Sequence, residues 1–148
     1  MDIHQFDDIR PYTDSEVAEA VVRIAANPLL NNISSYLFPG KDPAVFRQLL
    51  LSCKTVEDFQ VKIMAQVVAK ILSGTSKSLT IGGISNFEAG KKYLIITNHR
   101  DIVLDSAIIQ LVLHRHNIQT TEIAVGDNLI SSSFIEDITR TNKMIKVM

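Results

Sequence analysis

Apolar residues in the first half of the chain recur at the spacing of helices. Thr13 and Glu16 are placed as in a capping box, and the apolar positions after them fall on one helical face. A later stripe from Phe59 to Ile71 is typical of a core-facing helix, and also of a helix that lies on a membrane. Prolines or a capping threonine mark three further helix starts, at Pro28, Pro43 and Thr55. The pattern predicts four helices, which form an N-terminal helical subdomain over residues 1–75.

The spacing changes after residue 75, where short β-like runs begin to alternate with helical ones. The run at 93–97 is continuously apolar and rich in β-branched residues, which is typical of a buried parallel strand. The predicted elements are strands at 78–81, 93–97, 121–125 and 144–148 and helices at 102–115 and 132–139. This alternation predicts an α/β fold in which residues 76–148 supply the start of a parallel or mixed sheet with flanking helices. The last apolar run reaches Met148 without a cap, so we expect the sheet to be incomplete at the C-terminus.

Composition and charge argue against several classes of protein. The formal net charge is −1 and neither half is a basic block, which argues against a nucleic-acid partner. Cys53 is the single cysteine, so no internal disulfide forms, as in a reducing cytoplasm. The acidic N-terminus does not resemble a signal peptide, and no apolar run approaches the ~20 residues that cross a bilayer. We therefore expect a cytoplasmic protein whose membrane contact, if it has one, is peripheral on the inner face.

The segment that carries candidate chemistry follows the predicted strand at 93–97 and opens the next helix. Ligands of open α/β sheets bind at the carboxyl ends of strands. A neutral His99 can take a proton from a substrate hydroxyl, and a carboxylate nearby can orient the ring and stabilise the imidazolium. Two aspartates compete for that second role: Asp101 occupies a helix N-cap position, and Asp105 lies one turn further on. By pattern alone, a histidine and an aspartate at a helix start are more often capping and surface residues than catalytic ones.

Residues 93–105 resemble the first motif of the acylglycerol-phosphate and glycerol-phosphate acyltransferase superfamily, in which a strand ends in Asn-His and an aspartate follows. The resemblance implies that His99 is the base that deprotonates the acceptor hydroxyl and that Asp105 is its partner. It implies acyl-CoA or acyl-carrier protein as the acyl donor, a glycerol-phosphate-like acceptor and no bound cofactor. Asn98 and Arg100 would help to bind the substrate, although Arg100 is equally compatible with a solvated surface.

The spacing within this motif departs from the family pattern. Five residues separate His99 from Asp105, whereas the family has four. A turn or bulge before the helix is needed to absorb the extra residue. Without it, Asp101 becomes the alternative orienter of the base.

A second stretch, residues 124–148, resembles the family's next strand, helix and second motif. Lys143 stands where the family has a glycine, and the family's phosphate-binding arginine would follow Met148. The resemblance covers about residues 78–148 and implies the N-terminal part of such an enzyme, inactive or weak alone.

Two other interpretations stay open at this level. The first is a non-catalytic interaction or regulatory module, in which the helical and α/β parts bind a partner. The second concerns His114 and His116, which could suggest a metal site. No cysteine or carboxylate nearby completes a ligand set, so we predict that these histidines have a structural role at a helix C-terminus and that there is no metal.

Overall fold

A computed structural model describes residues 3–88, 90–98 and 100–148. The chain divides into two compact units, which we call unit 1 and unit 2. Unit 1 comprises Met1–Val67 together with Glu122–Met148, and unit 2 comprises Val68–Thr121. The sequence-based division at residue 75 stays a prediction, because compactness alone does not show which part folds independently.

Residues 14–75 form four helical segments whose starts match the sequence signals, and the last of these segments runs on from unit 1 into unit 2. The amide of Thr13 donates to the Glu16 carboxylate at 2.7 Å, which completes the predicted capping box. The Asp42 carboxylate accepts from the Ala44 amide at 2.8 Å, and the Thr55 hydroxyl accepts from the Asp58 amide at 3.0 Å. The helical segments are α1 (Asp14–Ala26), α2 (Leu29–Leu37), α3 (Pro43–Leu51) and a run of α4 (Val56–Asp58), a π-helix (Phe59–Met64) and α5 (Ala65–Thr75).

The core of unit 1 forms where the apolar faces of these helices meet. Burying a large aliphatic or aromatic side chain contributes ~1.5–3 kcal/mol each, so a cluster of this size accounts for the packing of the helices. Cys53 lies fully inside it, as a small buried hydrophobe. The cluster includes Val17, Val21, Ile24, Leu50, Cys53, Phe59, Ile63 and Phe134.

The sheet of unit 1 has two parallel strands, β1 (Ile123–Gly126) and β2 (Met144–Val147). The crossover between them contains α7 (Ser133–Thr141), as expected for a strand–helix–strand unit. The register pairs Ile123 with Met144 and Gly126 with Val147. These elements confirm the predicted strands at 121–125 and 144–148, the helix at 132–139 and, in coarse form, the α/β class.

Unit 2 contains α6 (Leu104–Arg115), which begins two residues after its predicted start at 102. The chain after α6 returns to it through a paired side-chain contact. The Gln110 amide nitrogen donates to the Thr121 hydroxyl at 2.7 Å, and the Thr121 backbone amide donates to the Gln110 side-chain oxygen at 2.9 Å. The two bonds hold the return segment against the middle of α6.

The predicted strands at 78–81 and 93–97 are wrong. The described residues there belong to no sheet, and Leu94 and Ile96 are each 87% exposed. An apolar, β-branched sequence has strand propensity, but a strand also needs a neighbour that satisfies its backbone groups and covers its faces. Within the described part of unit 2 no other strand offers that partner.

Candidate functional site

The candidate site lies in unit 2, between the extended segment that ends at Asn98 and the start of α6. Asn98 and Arg100 are both exposed. The residues between Arg100 and Leu104 form an irregular turn rather than the first turn of a helix. His99, predicted as the catalytic base, lies outside the described residues.

The Asp105 carboxylate folds back over this turn. Its Oδ2 atom accepts hydrogen bonds from the backbone amides of Arg100 at 2.6 Å and Asp101 at 3.1 Å. Asp105 is the second residue of α6, so its side chain reaches back past the start of its own helix. An irregular turn thus lies before α6, at the place where the sequence comparison required a turn or bulge.

The Asp101 carboxylate binds the turn directly before α6; the N-cap itself is Val103, two residues after the capping position that the sequence predicted. Its Oδ1 atom accepts from the amides of Val103 at 2.9 Å and Leu104 at 2.7 Å. The first amides of a helix have no partner within the helix, and a side-chain cap of this kind contributes ~1 kcal/mol. This contact gives Asp101 a structural role that does not depend on catalysis.

The two carboxylates make the start of α6 an acidic turn. The N-terminus of a helix carries a partial positive charge, which stabilises carboxylates placed there. Both side chains are directed at backbone amides, and a carboxylate oxygen has lone pairs for more than one donor. A carboxylate that is fixed by the backbone in this way has the lone pairs to accept a further N–H donor.

Lys143 adds an observation at the second predicted motif, in unit 1. Its φ is +59°, in the left-handed region, and its carbonyl accepts from the Ile123 amide at 3.0 Å. Glycine adopts this conformation without a steric cost, whereas other L-residues rarely do. The family's second motif has a glycine at the matched position. The backbone here thus has the shape that a glycine favours, although the residue is a lysine.

Unit 1 also contains a polar cluster that the sequence pattern does not predict. Arg23 of α1 binds Asp137 of α7 through two hydrogen bonds of 2.6 and 2.9 Å, and the Tyr12 hydroxyl donates to the same carboxylate at 2.8 Å. The Arg140 guanidinium stacks 4.3 Å from the centre of the Tyr12 ring. These residues lie far apart in sequence, so no local spacing signals the cluster. The contacts join α1 to α7.

The two histidines, His114 and His116, lie at the C-terminal end of α6, as predicted. His116 follows the last turn, and its Nδ1 atom lies 2.8 Å from the Val112 carbonyl oxygen. Among the described residues, no group of three or more histidine, cysteine, aspartate or glutamate side chains could hold a metal ion.

No family model, curated protein or solved structure matches the chain. No helix in the described ranges is both long and apolar enough to cross a bilayer.

Proposed function

We propose that this chain carries the base-bearing part of an acyltransferase. The reaction moves a fatty acyl group from acyl-CoA or acyl-carrier protein to a hydroxyl of a glycerol-phosphate-like lipid precursor. His99 acts as general base, taking the proton of the attacking hydroxyl, and Asp105 orients the ring. Asn98 and Arg100 help to bind the substrate, and the protein works in the cytoplasm, peripherally on the inner face of the membrane.

The observation that carries this proposal is the position of the Asp105 carboxylate. It lies 2.6 Å from the amide nitrogen of Arg100, the residue that follows His99 in the chain. The carboxylate thus binds the backbone of the residue that follows His99, in spite of the five-residue spacing. The Asp101 carboxylate binds the amides of Val103 and Leu104, which lie further along the chain from His99, so Asp105 is the better candidate for the orienting role.

The left-handed backbone at Lys143 supports the same reading independently. It lies in the second stretch that resembles the family, at the position where the family has glycine. A backbone conformation that favours glycine is a more specific feature of that position than the apolar pattern around it.

The test is an acyl-transfer assay that follows thiol release from an acyl thioester in the presence of glycerol 3-phosphate. It compares the chain of residues 1–148 with a longer protein that contains it, and we expect the longer protein to be far more active. In the active form, His99→Ala should abolish turnover, since a general base contributes ~10²–10⁴-fold. Asp105→Asn should lower the turnover number by up to ~10⁴-fold.

Two matched variants make this assay decisive. Asp101→Asn removes the other aspartate and should change turnover far less than Asp105→Asn. His114→Ala removes a histidine at the opposite end of α6 and should leave turnover unchanged. Near-normal turnover of His99→Ala, or a larger loss in Asp101→Asn than in Asp105→Asn, contradicts the proposed roles.

A non-catalytic interaction module is the second candidate. The contacts of Asp101 and Asp105 with backbone amides favour it, because ordinary helix starts use aspartates in the same way. This candidate predicts no thioester turnover by either protein. It also predicts that Asp105→Asn affects only the stability of the turn before α6, measured by amide hydrogen exchange.

A further inference from the structure

An open cleft lies in unit 1, between the end of α2, the start of α3 and the start of α5. Its volume is about 70 Å³. A cavity needs ~10–15 Å³ to hold one water, so the cleft has room for roughly five to seven atoms of that size. This is the size of one six-membered ring rather than of a long chain. The apolar part of its wall consists of Phe38, Val45, Phe46 and Leu49.

The aromatic part of this wall favours a flat ring as the ligand. The rings of Phe38 and Phe46 lie 5.5 Å apart between centroids and are tilted by 40°. Aromatic rings attract one another at centroid separations of ~4.5–7 Å, by more than their buried area accounts for. Val45, beside Phe46 in the chain, is 59% exposed. A ring in the cleft therefore extends an aromatic pair that is already in place and covers an exposed aliphatic side chain.

Lys41 gives the rim of the cleft a positive charge, and in the described ranges it forms no ion pair. Its ammonium lies 5.9 Å from the centre of the Phe38 ring, next to the aromatic wall. Asp42 also lies at the rim, but its carboxylate accepts from the Ala44 amide at 2.8 Å as the N-cap of α3. The N-terminus of that helix stabilises the negative charge. An anionic group on a ligand thus has a cation available beside the aromatic rings.

We propose that this cleft binds a small aromatic carboxylate, with its ring against Phe38 and Phe46 and its carboxylate beside Lys41. Pockets for small molecules are lined mainly by apolar and aromatic side chains and have a few polar groups that orient the ligand, as this cleft is. A cationic ligand would have to compete with the Ala44 amide for Asp42. The inference does not rest on the proposed function, because the cleft lies within unit 1 and its occupation needs no acyl transfer.

The experiment is a titration of the nitrogen-15-labelled chain with benzoate, followed by two-dimensional NMR. A ligand of about nine non-hydrogen atoms in an open cleft reaches a dissociation constant on the order of 1 mM. We expect saturable shifts on this scale at the amides of residues 34–49. Shifts that do not saturate, or that are spread over both units, indicate an adventitious additive only and overturn the proposal.

Three ligands of similar size test what the cleft recognises. Cyclohexanecarboxylate keeps the charge without the aromatic ring and should bind about two- to tenfold more weakly than benzoate. Benzamide keeps the ring without the charge and should bind about three- to fivefold more weakly. Benzylamine reverses the charge and should bind most weakly of the four. Binding of any of the three as tight as that of benzoate overturns the proposed ligand class.

Paired variants locate the binding. Val45→Trp fills the cleft and should abolish the saturable shifts, whereas Val22→Trp, at a valine that is 55% exposed on α1, should not. Lys41→Gln should weaken benzoate about three- to fivefold and leave benzamide unchanged. Lys54→Gln, at another exposed lysine of unit 1, should change neither.

Circular dichroism of each variant should show unchanged helix content. Undiminished benzoate binding in folded Val45→Trp overturns the proposal. So does an equal effect of the two lysine variants, which remains measurable even where the tryptophan variant does not fold.

Discussion

The left-handed backbone at Lys143 leads to a prediction about stability. We compare Lys143→Gly with Lys143→Ala, because both remove the lysine side chain and only alanine keeps a Cβ atom. At a φ of +59° that Cβ costs ~1–2 kcal/mol. Part of this advantage is lost in the glycine variant, because the unfolded chain with glycine has more conformational freedom, which lowers the free energy of unfolding by ~0.5–1 kcal/mol. The free energy of unfolding should therefore be about 0.8 kcal/mol higher for the glycine variant than for the alanine variant.

Urea unfolding followed by circular dichroism measures this difference. With a slope of ~2 kcal/mol per M, the midpoint of the glycine variant should lie ~0.4 M above that of the alanine variant. Ala18, an exposed residue inside α1, provides the control. There glycine should destabilise by ~1 kcal/mol, so the sign of the effect reverses. An alanine variant at position 143 that is as stable as the glycine variant refutes the reasoning.

Two further predictions concern the charged contacts of unit 1. Asp137→Ala removes the buried carboxylate that binds Arg23. Hydrogen bonds to charged groups contribute ~1.5–3 kcal/mol each, so the free energy of unfolding should fall by at least ~2 kcal/mol. Urea titration measures this change. The control is Glu19→Ala, which removes an exposed carboxylate on α1. An equal loss of unfolding free energy in the two variants would contradict this prediction. Hydrogen bonds from Arg10 lower the pKa of Glu16 from 4.5 to about 2. A depressed pKa of this kind stabilises the fold above about pH 4.5, and the contribution is lost as the pH falls towards 2. Glu16→Gln should therefore show a shallower fall in unfolding free energy over this window, and an unchanged slope would show that the pair does not contribute.

The sequence predicted the elements whose signals are local. The starts of α1 and α3 follow from the Thr13–Glu16 box and from Asp42 beside a proline, and the structure has both caps. The strand–helix–strand unit that ends in β2 was also recognised from its spacing. Local signals suffice there because capping and periodicity act over a few residues.

The features that the sequence did not predict correctly mostly depend on residues far away in the chain. The run from Tyr93 to Thr97 has strand composition, but its outcome is decided by whether another strand lies beside it. The contact of Arg23 with Asp137 spans 114 residues and has no sequence signature. The sequence pattern also predicts an ordinary α-helix at Phe59–Met64, where the structure has a π-helix. The spacing of apolar residues in the two kinds of helix is nearly the same.

The candidate site was predicted only in part. The contact of Asp101 with the amides before and at the first residue of α6 fits its predicted place near the helix start, although the helix begins two residues later than predicted. The folded-back Asp105 carboxylate was one of two options, because the five-residue spacing does not tell where the turn lies. The catalytic roles of His99 and Asp105 stay predictions.

The contact of Arg23 with Asp137 also sets an order of events during synthesis. Ribosomes add ~5–20 residues per second, so Asp137 emerges roughly 10 s after Arg23. Helices form in microseconds, which means that α1 is complete long before its ionic partner exists. During that interval its buried face can pack against α2, α3 and the helical run that begins at Val56, but not against α7. The nascent chain of unit 1 should therefore be a strong substrate for chaperones until α7 leaves the ribosome.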